Sequence, residues 1–147
     1  MSLLTAKRYA QTVKEIEFSW NFDDTVVNAA GAVVDFGVVA TGVDAVQADV
    51  IELPPGAVVV GGHVVTDTAF DTAGYDIEIG DAAVDNRYLT STDKKGTGLT
   101  ALTPTGLVLT NGGKIRLTIG NDDVCTAGKG TLRVLFIIKD RADEVTS

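Results

Sequence analysis

Apolar and polar side chains alternate in several short stretches of this chain, most clearly near its start. From Val13 to Phe22 the even positions from 16 onward carry Ile, Phe, Trp and Phe, whereas the odd positions from 15 onward carry Glu, Glu, Ser and Asn. Successive side chains of a β-strand point to opposite faces, so this pattern predicts a strand with one buried face. Similar alternation predicts strands over 75–79 and 114–119.

Two other stretches are apolar without alternation. Ala57 to Thr66 is rich in valine around Gly61-Gly62, and Thr131 to Lys139 carries large apolar residues on both sides. A strand that is apolar on both sides is typical of one that is covered on both faces. We therefore predict that 57–66 forms a central strand buried between two layers.

Turn-forming residues separate these runs. Pro54-Pro55-Gly56 stands between the apolar runs 46–53 and 57–66, and Asn111-Gly112-Gly113 is typical of a hairpin turn. About eight short strands with turn signals between them indicate an all-β fold, an antiparallel β-sandwich of jelly-roll type. We predict one domain over 1–147, with short arms at about 1–12 and about 140–147.

Composition supports this fold class and narrows the partners. The chain is 45% hydrophobic but only 6% aromatic, so its core must consist mainly of branched aliphatic side chains, which favour strands. The formal net charge of -8 repels nucleic acid and anionic lipid. No apolar run is long enough to span a membrane, and the start does not resemble a signal peptide. We expect neither a nucleic-acid nor a membrane partner. We also expect that the protein is assembled in a cytoplasm.

His63 and Cys125 are the only residues of their types, and each has two interpretations. A catalytic histidine needs a carboxylate partner, and no nearby sequence supplies one on an obvious shared face, so a structural or interface role is favoured for His63. A lone cysteine can neither close an internal disulfide nor complete a zinc site. A buried thiol is therefore favoured over a nucleophile for Cys125.

Acidic residues cluster at 76–85 and 121–123, where they could offer oxygen ligands to a calcium ion. Neither cluster has the spacing of a calcium-binding loop, and turns and solvated strand edges explain both more simply. The Gly-Lys segments 95–98 and 127–130 lack the spacing of a phosphate-binding loop, so we predict plain loops there. We expect no metal, no cofactor and no enzymatic activity.

Several segments together resemble the decoration, or cement, proteins that coat the heads of tailed bacteriophages. The resemblance covers about 46–142, whereas 23–44 and the N-terminal arm depart from the family pattern. The segments that carry it are Leu53–Val60, Gly61-Gly62, Ala69–Thr72, Ile79–Asp81, Asp85–Tyr88, Leu99–Gly106, Ala127-Gly128 and Asp140–Ala142.

This resemblance implies a non-enzymatic structural protein of the virion. Such a protein lies on the outside of the head, binds the major capsid protein, cements neighbouring subunits and forms a homo-oligomer, either a dimer or a trimer. The associated hypothesis places the oligomer and capsid contacts on the apolar strand faces and the arms. It gives interface roles to Arg87 and to four aromatic residues, Trp20, Phe22, Phe70 and Tyr88. Trp20 and Phe22 fit the core equally well, and Arg87 either pins a partner's carboxylate or orders its own turn.

The alternative is a non-enzymatic carbohydrate- or receptor-binding module of a phage head or tail, built on the same sandwich. Such a module requires exposed aromatic side chains beside fixed polar groups. Burial of Trp20 and of the three tyrosines would therefore argue against it.

Overall fold

The computed structural model describes residues 11–38, 46–72, 74–94 and 96–139. These ranges contain eleven strands and no helix, hence none that is long and apolar enough to cross a membrane. The predicted arms lie outside the described residues, apart from Gln11 and Thr12. The strands are β1 (Lys14–Asn21), β2 (Thr25–Val27), β3 (Val33–Asp35), β4 (Val46–Leu53), β5 (Ala57–Thr68), β6 (Asp76–Gly80), β7 (Leu89–Asp93), β8 (Gly98–Ala101), β9 (Val108–Leu109), β10 (Gly113–Gly120) and β11 (Lys129–Ile138).

Most of the strands form two antiparallel sheets. The five-stranded sheet has the order β1-β11-β5-β8, and β9 pairs with the beginning of β5. The four-stranded sheet has the order β4-β10-β6-β7, and β2 and β3 form a separate hairpin. The predicted all-β antiparallel sandwich is confirmed, and the jelly-roll connectivity stays a prediction.

One apolar core lies between the two main sheets. On the five-stranded sheet β11 contributes Leu132, Val134 and Phe136, and on the four-stranded sheet β10 contributes Ile115, Leu117 and Ile119. These residues occupy alternate positions because every second side chain of a strand faces the same way. Burial of each aliphatic side chain contributes roughly 1.5–3 kcal/mol relative to exposure, and with a single cysteine in the chain this packing stabilises the fold without an internal disulfide.

An aromatic cluster closes one end of this core. Phe70 stacks on Tyr75, with ring centroids 3.8 Å apart, and Trp20 lies against Phe70. The Tyr75 hydroxyl donates a hydrogen bond to the Phe36 carbonyl oxygen at 2.8 Å and accepts one from the Trp20 indole nitrogen at 3.2 Å. Buried polar groups are costly unless paired, so these bonds allow a tyrosine and a tryptophan to lie in the core.

Glycines at the start of β11 make room for this cluster. A β-carbon at Gly130 would lie 2.5 Å from the Trp20 ring, and one at Gly128 would overlap the Phe70 ring. The segment 127–130 was predicted to be a loop, but β11 already begins at Lys129. The correction has a physical reason: glycine in a strand marks a place where another group approaches the backbone closely.

β5 is a central strand, as its pattern predicts, but it is not buried between two layers. Val59 and Val64 are buried in the core, whereas Val58 and Val65 lie on the opposite face and are half-buried. In the described part of the chain, the second sheet covers only the first of these faces. The packing of the described residues therefore leaves the apolar pattern of β5 unexplained.

β7 and the β2–β3 hairpin were not predicted as defined strands. β7 has the sequence Leu-Thr-Ser-Thr-Asp and lies at the edge of its sheet, paired with β6 alone. Leu89 is the only apolar residue of this strand, so β7 lacks the apolar alternation from which strands are predicted.

Candidate interaction surfaces

Three of the four aromatic residues with a predicted interface role lie in the core. Trp20, Phe70 and Tyr88 are 1%, 0% and 2% exposed, and Phe22 is half-buried and packs against the core. The three buried side chains therefore offer no surface to a partner in this fold, because the core between the sheets already encloses them. For Phe22 the interface role stays a prediction.

The same burial bears on the carbohydrate-binding alternative. Tyr75, like Trp20 and Tyr88, is buried, so none of these rings provides an exposed platform for a sugar. Tyr9 lies outside the described residues.

Arg87 orders its own loop, one of the two roles predicted for it. Its Nε donates a hydrogen bond to Oδ2 of Asp81 at 2.5 Å, and Oδ1 of Asp81 accepts hydrogen bonds from the backbone nitrogens of Ala83 and Val84 at 3.0 and 2.8 Å. Partial burial favours the neutral acid, but the bonds from Arg87 and Val84 outweigh it and lower the pKa of Asp81. A contact between Arg87 and a partner stays a prediction.

His63 lies on the face of the five-stranded sheet that points away from the core. Its Nε2 is 3.1 Å from Nη1 of Arg133, and Nε of Arg133 also lies 3.4 and 3.3 Å from carboxylate oxygens of Glu15 and Glu17. Arginine can only donate, so Nε2 of His63 is the acceptor in this contact. The histidine therefore faces a cation, not the carboxylate that a catalytic pair requires.

The Cys125 thiol is buried, which is the interpretation favoured for the single cysteine of the sequence. Its sulfur lies 3.3 Å from the Thr72 hydroxyl and 3.4 Å from the Asn121 side-chain nitrogen. Burial raises the pKa of the thiol, although these two hydrogen bonds act in the opposite direction. Reactive cysteines have lowered pKa values, so this environment favours a structural thiol.

The acidic residues of the two clusters lie in a strand and in the turns next to strands. Asp76 stands opposite Asp93 across the β6–β7 pair, and burial together with Asp93 and Asp122 raises the pKa of Asp76. Among the described residues, no group of three or more His, Cys, Asp or Glu side chains is placed to hold a metal ion.

The outer faces of the two main sheets differ in character. On the four-stranded sheet, Arg116 of β10 bonds Asp49 of β4 at 3.0 Å, and Lys114 stands opposite Glu52. On the five-stranded sheet, six apolar side chains form a surface that we call the outer strip. Its members are Val58 and Val65 of β5, Leu99 of β8, Val108 of β9, and Leu135 and Ile137 of β11.

A second apolar surface lies at the β2–β3 hairpin. Val27 and Val33 are direct cross-strand partners and are 59% and 70% exposed. Between the two strands, Oδ1 of Asn28 accepts hydrogen bonds from the backbone nitrogens of Ala30 and Ala32, which hold the turn. The hairpin therefore presents two valines on an ordered support.

No protein-family model matches this sequence, and a search of curated proteins gives no match. Solved structures do share the fold. A chain of the cyanophage Pam1 capsid asymmetric unit is 21% identical, with a TM-score of 0.60 over 92% of this chain and 91% of that chain.

Two other phage capsid structures contain similar chains. One, in the capsid of Ralstonia phage GP4, is 13% identical with a TM-score of 0.58, over 99% of this chain and 93% of that chain. The other, in the acidic stable capsid structure of Helicobacter pylori bacteriophage KHP30, is 16% identical with a TM-score of 0.50, over 85% and 92%. At these identities the likeness establishes a shared fold along most of each chain.

Contacts through apolar strand faces were predicted, but no residue of the outer strip and neither hairpin valine was named among the interface residues. A signal for the strip existed, because the two-sided apolar pattern of β5 and β11 implies a second covering surface. Exposed single valines such as Val27 and Val33 carry no comparable signal, since scattered apolar residues are normal on protein surfaces.

Proposed function

We propose that this chain is a structural protein of a phage virion that binds the outer surface of the head and cements neighbouring subunits of the major capsid protein. The observation that carries the proposal is the fold shared with chains of three phage capsid structures, along at least 85% of this chain and 91% of each of those chains. A fold alone does not define a function. The resemblance of several loop and strand segments to decoration proteins adds an independent line of support.

The proposal needs no catalysis. The surroundings of Cys125 and His63, the two residues considered for catalysis, are consistent with a structural role. The Cys125 thiol is buried with a raised pKa, and His63 is bonded to Arg133. A cementing protein acts by mass action: it binds the assembled shell more tightly than the free subunits and thereby stabilises the shell.

We assign the hairpin valines to the contact with the shell. Exposed apolar side chains gain free energy when a partner covers them, about 25 cal/mol for each Å² buried. Val27 and Val33 are directly paired, and their turn is fixed by Asn28, so little conformational entropy is lost on binding.

Copy number tests the proposed function. Quantitative mass spectrometry of purified particles from the source should find this chain in fixed ratio to the major shell protein, at hundreds of copies per particle. A handful of copies would instead indicate a tail or vertex component. Absence from the particles would overturn the proposal.

The contact surface is tested by adding purified protein to particles that lack it. The double variant Val27→Asp and Val33→Asp should bind at least about tenfold more weakly than the wild-type protein, since two charges would be desolvated. Val124→Asp is the matched control, because Val124 is 58% exposed on the loop between β10 and β11. Equal losses in the two proteins would remove the hairpin from the contact.

A further inference from the structure

The outer strip lies on two neighbouring strands that are apolar on both sides. On β11 the inward residues Leu132, Val134 and Phe136 alternate with the outward residues Leu135 and Ile137. On β5 the inward residues alternate with Val58 and Val65 in the same way. Strands of this composition normally have both faces covered, and the described residues cover only one.

The strip crosses the sheet at both of its ends, and the Arg133–His63 pair lies between these ends. Ile137 pairs with Val58, which pairs with Val108, and at the other end Val65 pairs with Leu99. Gly61 stands opposite Leu135 and has no side chain, so the sheet surface is recessed at this position. Leu99 is 63% exposed, although a leucine on a four-residue strand could have been replaced by a polar residue without loss to the core.

We propose that two copies of this chain pack back to back through their outer strips and form a dimer. An isologous interface requires a patch that is complementary to itself, and an aliphatic strip on a sheet face fulfils this requirement without matched charges. Two such faces pack at about 10 Å, the ordinary spacing of stacked sheets. The dimer would then contain four layers, with the outer strips forming its central contact.

The distribution of charge favours a second copy in this position. The chain carries a net charge of -8, which opposes association of two copies in general. Back-to-back packing places the two four-stranded sheets, with Asp49, Glu52 and Glu78, on the outside of the dimer. These faces are then about 30 Å apart, well beyond the Debye length of about 8 Å at physiological salt.

The few charges near the strip are paired within one chain. Arg133 lies between Glu15 and Glu17 on the β1 side and bonds His63. Glu15 and Glu17, on the edge strand β1, border the strip as a polar rim, the usual arrangement around an apolar interface core. Arg133 and His63 lie within the strip, between Leu135 and Val65, and their polar groups are bonded within one chain.

The available area is sufficient for a specific dimer of small size. Four strands spaced by about 4.8 Å and about eight residues long form a rectangle of roughly 500 Å². Side chains that project from it raise the accessible area towards the roughly 600–800 Å² per partner that small specific interfaces bury. The inference does not depend on attachment to a phage head.

Analytical ultracentrifugation of the purified full chain tests the dimer. We expect the wild-type protein to be dimeric at about 50 µM and Leu99→Glu to be monomeric, with a dissociation constant raised at least about 100-fold. Because Leu99 is largely exposed in the single chain, the variant should keep its fold, and fluorescence of Trp20 and its urea unfolding check this.

Val124→Glu is the matched control, because Val124 is exposed to a similar degree, 58% against 63%, but lies away from the strip. It should remain dimeric. A wild-type monomer, a trimer, or equal weakening by Leu99→Glu and Val124→Glu would overturn the proposal. Since this experiment uses no particles, its failure would leave the proposed function standing, and the reverse also holds.

Discussion

Two glycines show how single residues determine the packing around Trp20. A β-carbon on Gly130 would lie 2.5 Å from the Trp20 ring, and that ring is held by Phe70 and by its bond to Tyr75. We predict that Gly130→Ala lowers the free energy of unfolding by about 1–3 kcal/mol, because overpacking must displace the ring. Urea unfolding, followed by the fluorescence of the single tryptophan, measures this change.

Gly96→Ala is the control for that substitution. It adds the same methyl group, but no atom lies within 4 Å of the new β-carbon. Its effect should stay within about 0.5 kcal/mol. Equal losses for the two variants would show that glycine flexibility, and not the space under Trp20, determines the cost.

Asp81 links the order of one loop to pH. Its pKa is lowered in the folded protein, because the bonds from Arg87 and Val84 outweigh the effect of burial. A group with a lowered folded pKa contributes stability above its unfolded pKa, about 3.9, and loses that contribution as pH falls through the folded pKa. We predict that Asp81→Asn costs about 1–2 kcal/mol at pH 7, and that its difference from the wild-type protein shrinks below about pH 4.

Urea unfolding at pH 7 and at pH 3 measures both quantities. Asp23→Asn removes the same charge from an exposed turn position and should change stability by less than about 0.5 kcal/mol at either pH. A difference between Asp81→Asn and the wild-type protein that stays constant across this pH range would contradict the assignment to Asp81.

At the scale of elements, two turns support each other at one end of the sandwich. Gly112 has φ +80, and a β-carbon there would lie 2.8 Å from the Leu53 carbonyl oxygen beside the Pro54-Pro55 turn. Gly106 has almost the same φ, +77, but open space around it. Both alanine variants should lose about 1–2 kcal/mol from left-handed strain, and Gly112→Ala about 1–3 kcal/mol more from the clash. Denaturant unfolding compares them, and equal losses would mean that the turns do not constrain each other.

The elements that could be predicted from the sequence are those with one buried face. β4 has the predicted bounds 46–53, and β10 agrees within one residue at each end. β7 could not be predicted in the same way, because an edge strand of five residues leaves little apolar alternation. Burial of Trp20 rather than exposure depends on glycines that are distant in sequence, which a local pattern cannot show.

The apolar pattern on both sides of β5 and β11 was recognised correctly, but its interpretation was incomplete. Their pattern indicates two covering surfaces, and 57–66 was predicted to lie buried between two layers. Among the described residues the structure provides one of them, the four-stranded sheet. Sequence patterns record burial in the functional state of a protein, so an apolar face that the chain does not cover itself is informative about assembly.

At the scale of the whole molecule, the charge of the chain distinguishes an apolar contact from an ionic one. Two copies with a net charge of -8 each repel one another at low ionic strength. At about 20 mM salt the Debye length is roughly 20 Å. The charges of the two copies, about 30 Å apart, then still repel one another by a total on the order of 1 kcal/mol. At about 500 mM it is screened. If the outer strips form the contact, the dissociation constant of the dimer should fall by about fivefold between these conditions.

Sedimentation equilibrium at the two salt concentrations gives this ratio directly. Lys114→Gln, which removes a positive charge from the outer face of the four-stranded sheet, should slightly increase the salt dependence, because each copy then carries one more net negative charge. A contact made by opposite charges would behave in the reverse way and weaken as salt is added. A dimer that dissociates at high salt would therefore move the interface from the outer strip to the charged face around Arg116 and Asp49.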